Sequence, residues 1–146
     1  MTKILIKRLS KNISLPKYET SGSSGMDLAA NIENEIIINP GKSAIIPTGI
    51  AVSIPKNFEI QIRPRSGLAA RNQISVLNTP GTIDADYRGE IKVILINLGE
   101  KNFKIENGLR IAQMVLCPIV KATLQEVETL EDTERGAGGF GSTGTK

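Results

Sequence analysis

The stretch FEIQIR, residues 58–63, alternates Phe58, Ile60 and Ile62 with Glu59, Gln61 and Arg63. That period of two turns one face to a core and the other to water, so the segment reads as a β-strand. Working outward, Ser43 to Ile54 reads as two half-strands bent at Pro47-Thr48-Gly49. Glu35 to Asn39 is a compact apolar strand closed by the turn Asn39-Pro40-Gly41-Lys42. Lys3 to Leu9 has β-branched character, and Glu90 to Leu98 and Arg110 to Val120 are longer, more apolar strands. Only Gly67 to Asn72 looks helical, for one or two turns. Many short strands at regular spacing predict an all-β fold: a jelly-roll-like barrel or sandwich spanning residues 1–130. From Glu131 onward five glycines fall between Gly136 and Gly144, with Ala137 and Phe140 as the apolar residues. Residues 131–146 are therefore expected to form a separate flexible arm.

The composition excludes much chemistry. The chain of 146 residues has no histidine, so imidazole is neither base nor metal ligand. A lone cysteine, Cys117, permits no intrachain disulfide and no Cys-cluster zinc site. With no Trp, two Tyr and three Phe, stacking platforms for single-stranded nucleic acid are scarce. The net charge of +3 is spread out; Lys3, Lys7, Arg8 and Lys11 interleave with apolar residues, as on a solvated strand rather than a concentrated basic face. No run approaches the roughly 18 apolar residues of a membrane span, and Met1 to Asn12 lacks the apolar core of a secretory signal. The expected address is cytoplasmic. Carboxylates, Arg, Lys, hydroxyls or an oxygen-held metal are left to do any chemistry.

Four internal segments could carry it. SGSSGMDLAA (21–30) runs a Gly/Ser loop into a strand with Asp27 at the junction, as turn anchor or as site carboxylate. In RPRSGLAA (63–70), Arg65, Ser66 and Gly67 open a helical turn, which is either an anion site or a plain Ser N-cap. NTPGTIDADYRGEI (78–91) reads as a hairpin holding Asp84, Asp86 and Tyr87. If that run is extended, the two carboxylates share a face; they form a charged tip or supply the base that deprotonates a water. In RIAQMV (110–115), Gln113 is polar in an apolar strand, and if buried its amide needs partners, one of which can be a ligand. In the arm, Arg135 and Phe140 among glycines suit a flap over an anionic, ring-bearing ligand, or else the tail is simply disordered.

Taken together, SGMDLAA (24–30), PRSGLAA (64–70), GTIDADYRGEI (81–91), RIAQMV (110–115) and RGAGGFGSTG (135–144) resemble, in order, the five motifs of the trimeric deoxyuridine triphosphate nucleotidohydrolase (dUTPase) family. The resemblance implies a jelly-roll homotrimer with shared sites, hydrolysing dUTP to dUMP and diphosphate with Mg²⁺. That activity would remove dUTP from the nucleotide pool and supply dUMP for dTMP synthesis. It implies Asp84 as the group that orients and deprotonates the water attacking the α-phosphate, with Asp86 a turn residue. Tyr87 would pack on the deoxyribose and leave no room for a 2′-hydroxyl. Asn78 and the backbone of Gly81, Thr82 and Ile83 would pair with uracil's polar edge. Arg65, Ser66, Gly67 and Gln113 would contact phosphates, and Asp27 would touch waters on the metal rather than the metal itself. Arg135 would reach the γ-phosphate and Phe140 would cover uracil, with Gly141, Ser142 and Thr143 nearby. The strand from Arg110 to Val120 would pack along the three-fold axis, with Cys117 a small apolar residue there.

Rival readings fit less well. A dCTP deaminase of the same fold would need a glutamate where Ile94 stands, and Ile94 cannot move protons. A non-catalytic nucleotide-binding trimer would need neither Asp84 nor a closing arm. A nucleic-acid-binding β domain would need more aromatics.

Overall fold

Short amphipathic strands separated by turn residues can bury their apolar faces only by stacking sheet on sheet. The computed structural model describes residues 1–144, so the last two residues of the 131–146 arm lie outside the described residues. The strands are β1 (Leu5–Arg8), β2 (Met26–Ala29), β3 (Ile36–Ile38), β4 (Ser43–Ser53) and β5 (Phe58–Arg63). After the helix α1 (Ser66–Asn72) come β6 (Ile74–Val76), β7 (Gly81–Ile83), β8 (Glu90–Asn97), β9 (Phe103–Ile105) and β10 (Arg110–Pro118). One sheet has the order β1-β4-β8-β6, a second β2-β10-β5-β7, and β3 pairs β9 in a small third. The strand pairs within them are antiparallel.

The alternation does the packing. β8 turns Ile91, Val93 and Leu95 inward, β5 turns Ile60 and Ile62, and β10 turns Ile111 and Met114, all 3% exposed or less. Two irregularities let the strands curve. Between Pro47 and Ala51, β4 advances four residues while β8 advances from Lys92 to Glu90. Gly49 takes φ +71° there, and the buried Thr48 hydroxyl donates to the Ile91 carbonyl at 2.5 Å. The bend expected at Pro47-Thr48-Gly49 is this bulge. In β10 a bulge between Arg110 and Ala112 leaves both Ile111 and Ala112 fully buried.

Two expectations change. The strand expected to run to Val120 ends at Pro118, and Val120 is fully exposed. The expected hairpin across Asn78–Ile91 is instead a crossover between sheets: β7 pairs β5, whereas β8 pairs β4 and β6. The reason is burial. Ile91, Val93 and Leu95 make β8 a central strand of the opposite sheet, and pairing with the three-residue β7 would forgo that.

Candidate active site

Cross-strand register assembles one half of the site. Asp27 of β2 stands opposite Gln113 of β10, which stands opposite Arg63 of β5. Their neighbours Leu28, Met114 and Ile62 face the core, so this row lies on the outer face of the sheet. Arg65, just past β5, donates Nε to Asp27 Oδ1 at 2.9 Å and Nη2 to Oδ2 at 3.3 Å. Arg110 donates Nη1 to the same Oδ2 at 3.3 Å and pairs with Glu19 at 3.4 Å. Asp27 is thus first an anchor for two guanidiniums. Of the five N–H donors of Arg65, three are used by Asp27 and the Arg110 carbonyl, and two remain for an anion.

Glu19, Asp27 and Arg65 border a cavity of about 350 Å³ with Gly25, Ser66, Gly67 and Gln113 on its walls. Of the two readings of Ser66, the N-cap is ruled out: Arg65 occupies the cap position without a side-chain bond, and Ser66 begins the seven-residue helix. Gln113 donates Nε2 to the Pro64 carbonyl at 3.0 Å, which satisfies part of its amide and fixes its direction. Gly25 makes room for the rest. A Cβ there would lie 2.5 Å from Gln113 Oε1 and 3.2 Å from Val115 Cγ2. Gly25→Ala should therefore leave the fold in place, because the one atom inside 3.0 Å is a side-chain end and the Met114 carbonyl at 3.3 Å need give only a few tenths of an ångström, yet push Gln113 away from the cavity. The expected result is a rise of about tenfold in KM for an anionic substrate held in this cavity, roughly one hydrogen bond's worth, read from initial rates; an unchanged KM would show that Gln113 does not face the ligand.

The second half gathers around β7 and the turn after it. β7 is an edge strand, so its outward N–H and C=O groups have no ladder partner among the described residues. Asn78 lays its amide over Gly81, whose Cβ position is 3.4 Å from Asn78 Nδ2. Thr82 is exposed and Ile83 half-buried. Asp84, Ala85, Asp86 and Tyr87 form a turn closed by the Tyr87 N–H on the Asp84 carbonyl at 3.1 Å. Asp84 and Asp86 therefore do not line one face of an extended strand, and Asp84 is exposed with no ion pair among the described residues. The Tyr87 hydroxyl donates to the Glu90 carbonyl at 2.9 Å, and Arg88 Nη1 ties down the carbonyls of Ala85 and Tyr87 at 2.7 and 3.0 Å.

The two halves do not meet within one chain. Gln113 is level with Arg63, and Ile83 with Ile60. Two strand spacings across and three residues along separate Gln113 from Ile83 by about 14 Å. Among the described residues the arm makes no hydrogen bond to either half. Arg135 Nε donates to Gly138 O at 2.9 Å, Ser142 N–H to Gly139 O at 3.0 Å, and Phe140 is fully exposed with φ +49°. Gly141 is in the left-handed region at φ +85°, as the arm's successive turns require.

Arg110, Gly25 and Arg88 were not singled out from sequence as working residues. Arg110 and Gly25 lie in quoted motifs, but their partners are tens of residues away, and no local signal marks them. Cys117 is half-buried beneath Arg63 Nη2 at 3.7 Å.

Comparison with known proteins places this geometry. A dUTPase family model matches residues 11–144. A deoxyuridine 5'-triphosphate nucleotidohydrolase of Rickettsia bellii is 59% identical over 145 residues, covering 99% of this chain and 97% of the relative. The enzyme of the same name from Brucella melitensis biotype 1 is 55% identical over 138 residues, 93% of this chain and 88% of the relative. Among solved structures, a dUTPase of Staphylococcus bacteriophage 80alpha with dUpNHpp superposes with TM-score 0.89 at 29% identity, covering 99% of this chain and 100% of the other.

Proposed function

The chain belongs to the dUTPase family, and on that premise we propose that each active site is built from more than one copy of the chain, as a homotrimer. The reaction is hydrolysis of dUTP to dUMP and diphosphate. One copy supplies the phosphate-holding half around Arg65, Ser66, Gly67 and Gln113. Another supplies the half around Asn78, β7, Asp84 and Tyr87. The observation that carries this is their separation of about 14 Å within one chain, too far for one α-phosphate to touch both. Val120, Leu124 and Leu130, each more than 80% exposed beyond β10, are apolar surface that an assembly would cover.

In such a site Asp84 accepts the proton of the attacking water, and Tyr87 lies against the sugar. The edge backbone of β7 meets uracil's polar rim; cytosine reverses the donor and acceptor at its 4-position and would leave buried groups unpaired. The arm closes last, with Arg135 on the γ-phosphate and Phe140 over the base. Among the described residues no cluster of three or more carboxylate, thiol or imidazole groups could cage a metal. The charges around the phosphate half, Glu19, Asp27, Arg65 and Arg110, cancel formally. Both facts fit a Mg²⁺ that arrives on the triphosphate with most of its waters, Asp27 keeping a lone pair toward them. When bound, it would supply neutralisation of phosphate charge.

Mixing two inactive variants tests the shared site. Arg65→Ala and Asp84→Asn chains, each nearly inactive, should regain activity when unfolded and refolded together, because about a quarter of randomly mixed sites receive two intact halves. No recovery, with mixed assemblies demonstrated by mass spectrometry, would place both halves in one chain.

A further inference from the structure

The ring of Tyr87 lies across the backbone of Gly89. A Cβ on Gly89 would come 2.4 Å from the hydroxyl oxygen, 2.5 Å from Cζ and 2.9 Å from Cε2, distances that real Cβ atoms essentially never show. Gly89 is not in the left-handed region, so its backbone conformation does not require glycine; the ring does. The ring's polar end is held as well, through the hydroxyl on the Glu90 carbonyl at 2.9 Å. Its main chain is held by the Asp84 carbonyl and by Arg88. Tyr87 is nonetheless 44% exposed, so the side chain is held at the surface rather than packed in the core.

We infer that Gly89 is a specificity-positioning residue: by lacking a side chain it seats the Tyr87 ring flat on the turn, and that seat sets the discrimination between deoxyribose and ribose. The inference rests on Tyr87 being the residue that faces the sugar. An alanine methyl would lift the ring off the turn into solvent. Because the displaced atoms are the far end of an exposed side chain, the fold stays intact while the filter is lost. A sugar wall displaced by an ångström or more no longer fills the space of a 2′-hydroxyl. UTP then gains relative to dUTP.

The test is a double-mutant cycle on full-length protein with Gly89→Ala, Tyr87→Ala and the pair, comparing kcat/KM for dUTP and for UTP. Gly89→Ala is expected to lower the dUTP/UTP ratio by about tenfold or more, and the pair to match Tyr87→Ala within about twofold, because Gly89 acts only through the ring. A normal ratio in Gly89→Ala alongside a reduced one in Tyr87→Ala overturns the inference and leaves the sugar-facing role standing. An unchanged ratio in Tyr87→Ala overturns that role and the inference with it. A pair that falls well below Tyr87→Ala, or that fails to fold, makes Gly89 a plain turn residue. A second readout needs no substrate. The chain has two tyrosines and no tryptophan, so in a Tyr18→Phe background Tyr87 is the sole fluorophore. Gly89→Ala should raise its quenching by acrylamide, and unaltered quenching would mean that the ring was never seated there.

Discussion

Asp84→Asn should bind dUTP about as tightly as the parent and turn it over 10²–10⁴-fold more slowly, roughly what positioned proton transfer contributes. The substitution keeps shape and volume but removes the ability to take a proton at the carboxyl oxygen. The fold does not depend on that carboxylate. The turn's closing bond uses the Asp84 main-chain carbonyl, and the side chain enters no ion pair among the described residues. Calorimetry with a non-hydrolysable dUTP analogue separates binding from chemistry, and diphosphate release gives kcat. With no histidine in the chain, a carboxylate is the natural base for an attacking water. An Asp84→Asn enzyme with a near-normal rate would remove Asp84 from the mechanism altogether.

Deleting Arg135 to Lys146 should cost two or more powers of ten in kcat/KM and leave the melting temperature within a few degrees of the parent. The hydrogen bonds of Arg135, Gly136, Gly138, Ser142 and Gly144 run to other arm residues, and Phe140 is fully exposed, so among the described residues the β domain loses no hydrogen bond. On the proposed function, the deletion would remove a guanidinium from phosphate, about 1.5–3 kcal/mol for a charge-assisted hydrogen bond, and an aromatic cover from the base. Ordering about ten glycine-rich residues costs on the order of 10 kcal/mol of backbone freedom. On the function proposed above, the arm would close only while the ligand offsets that cost, which is the behaviour of a lid. Arg135→Ala and Phe140→Ala apportion the loss, and full activity after truncation would remove the arm from the site.

Much of the strand inventory was legible because its signals are local. Alternation at Phe58–Arg63 and the Pro47-Thr48-Gly49 break read correctly because side-chain period and turn chemistry depend on neighbours in sequence. The Asn78–Ile91 segment failed for the opposite reason. Two short strands joined by a turn look like a hairpin, but the partner of each strand is chosen by the core of a whole sheet. β10 ends early because its partner does: Pro118 stands opposite Phe58, the first residue of β5, and after one more main-chain bond, from the Ile119 N–H to the Asn57 carbonyl at 2.9 Å, the partner chain turns away at Asn57 with φ +70°.

By itself the amino-acid sequence determined which chemistry was possible: no imidazole, so carboxylates, guanidiniums, amines and hydroxyls are the available groups, with a glycine-rich arm at the end. Those are properties of residue types and short spacings, and they survive without coordinates. Only the tertiary structure decided who touches whom. Asp27 meets Arg65 across 38 positions and Arg110 across 83, and Gly25 and Gly89 became seats for Gln113 and Tyr87. The two halves of the site ended up apart in a single chain because cross-strand register, which burial of the core imposes on all strands at once, is not written in any one segment.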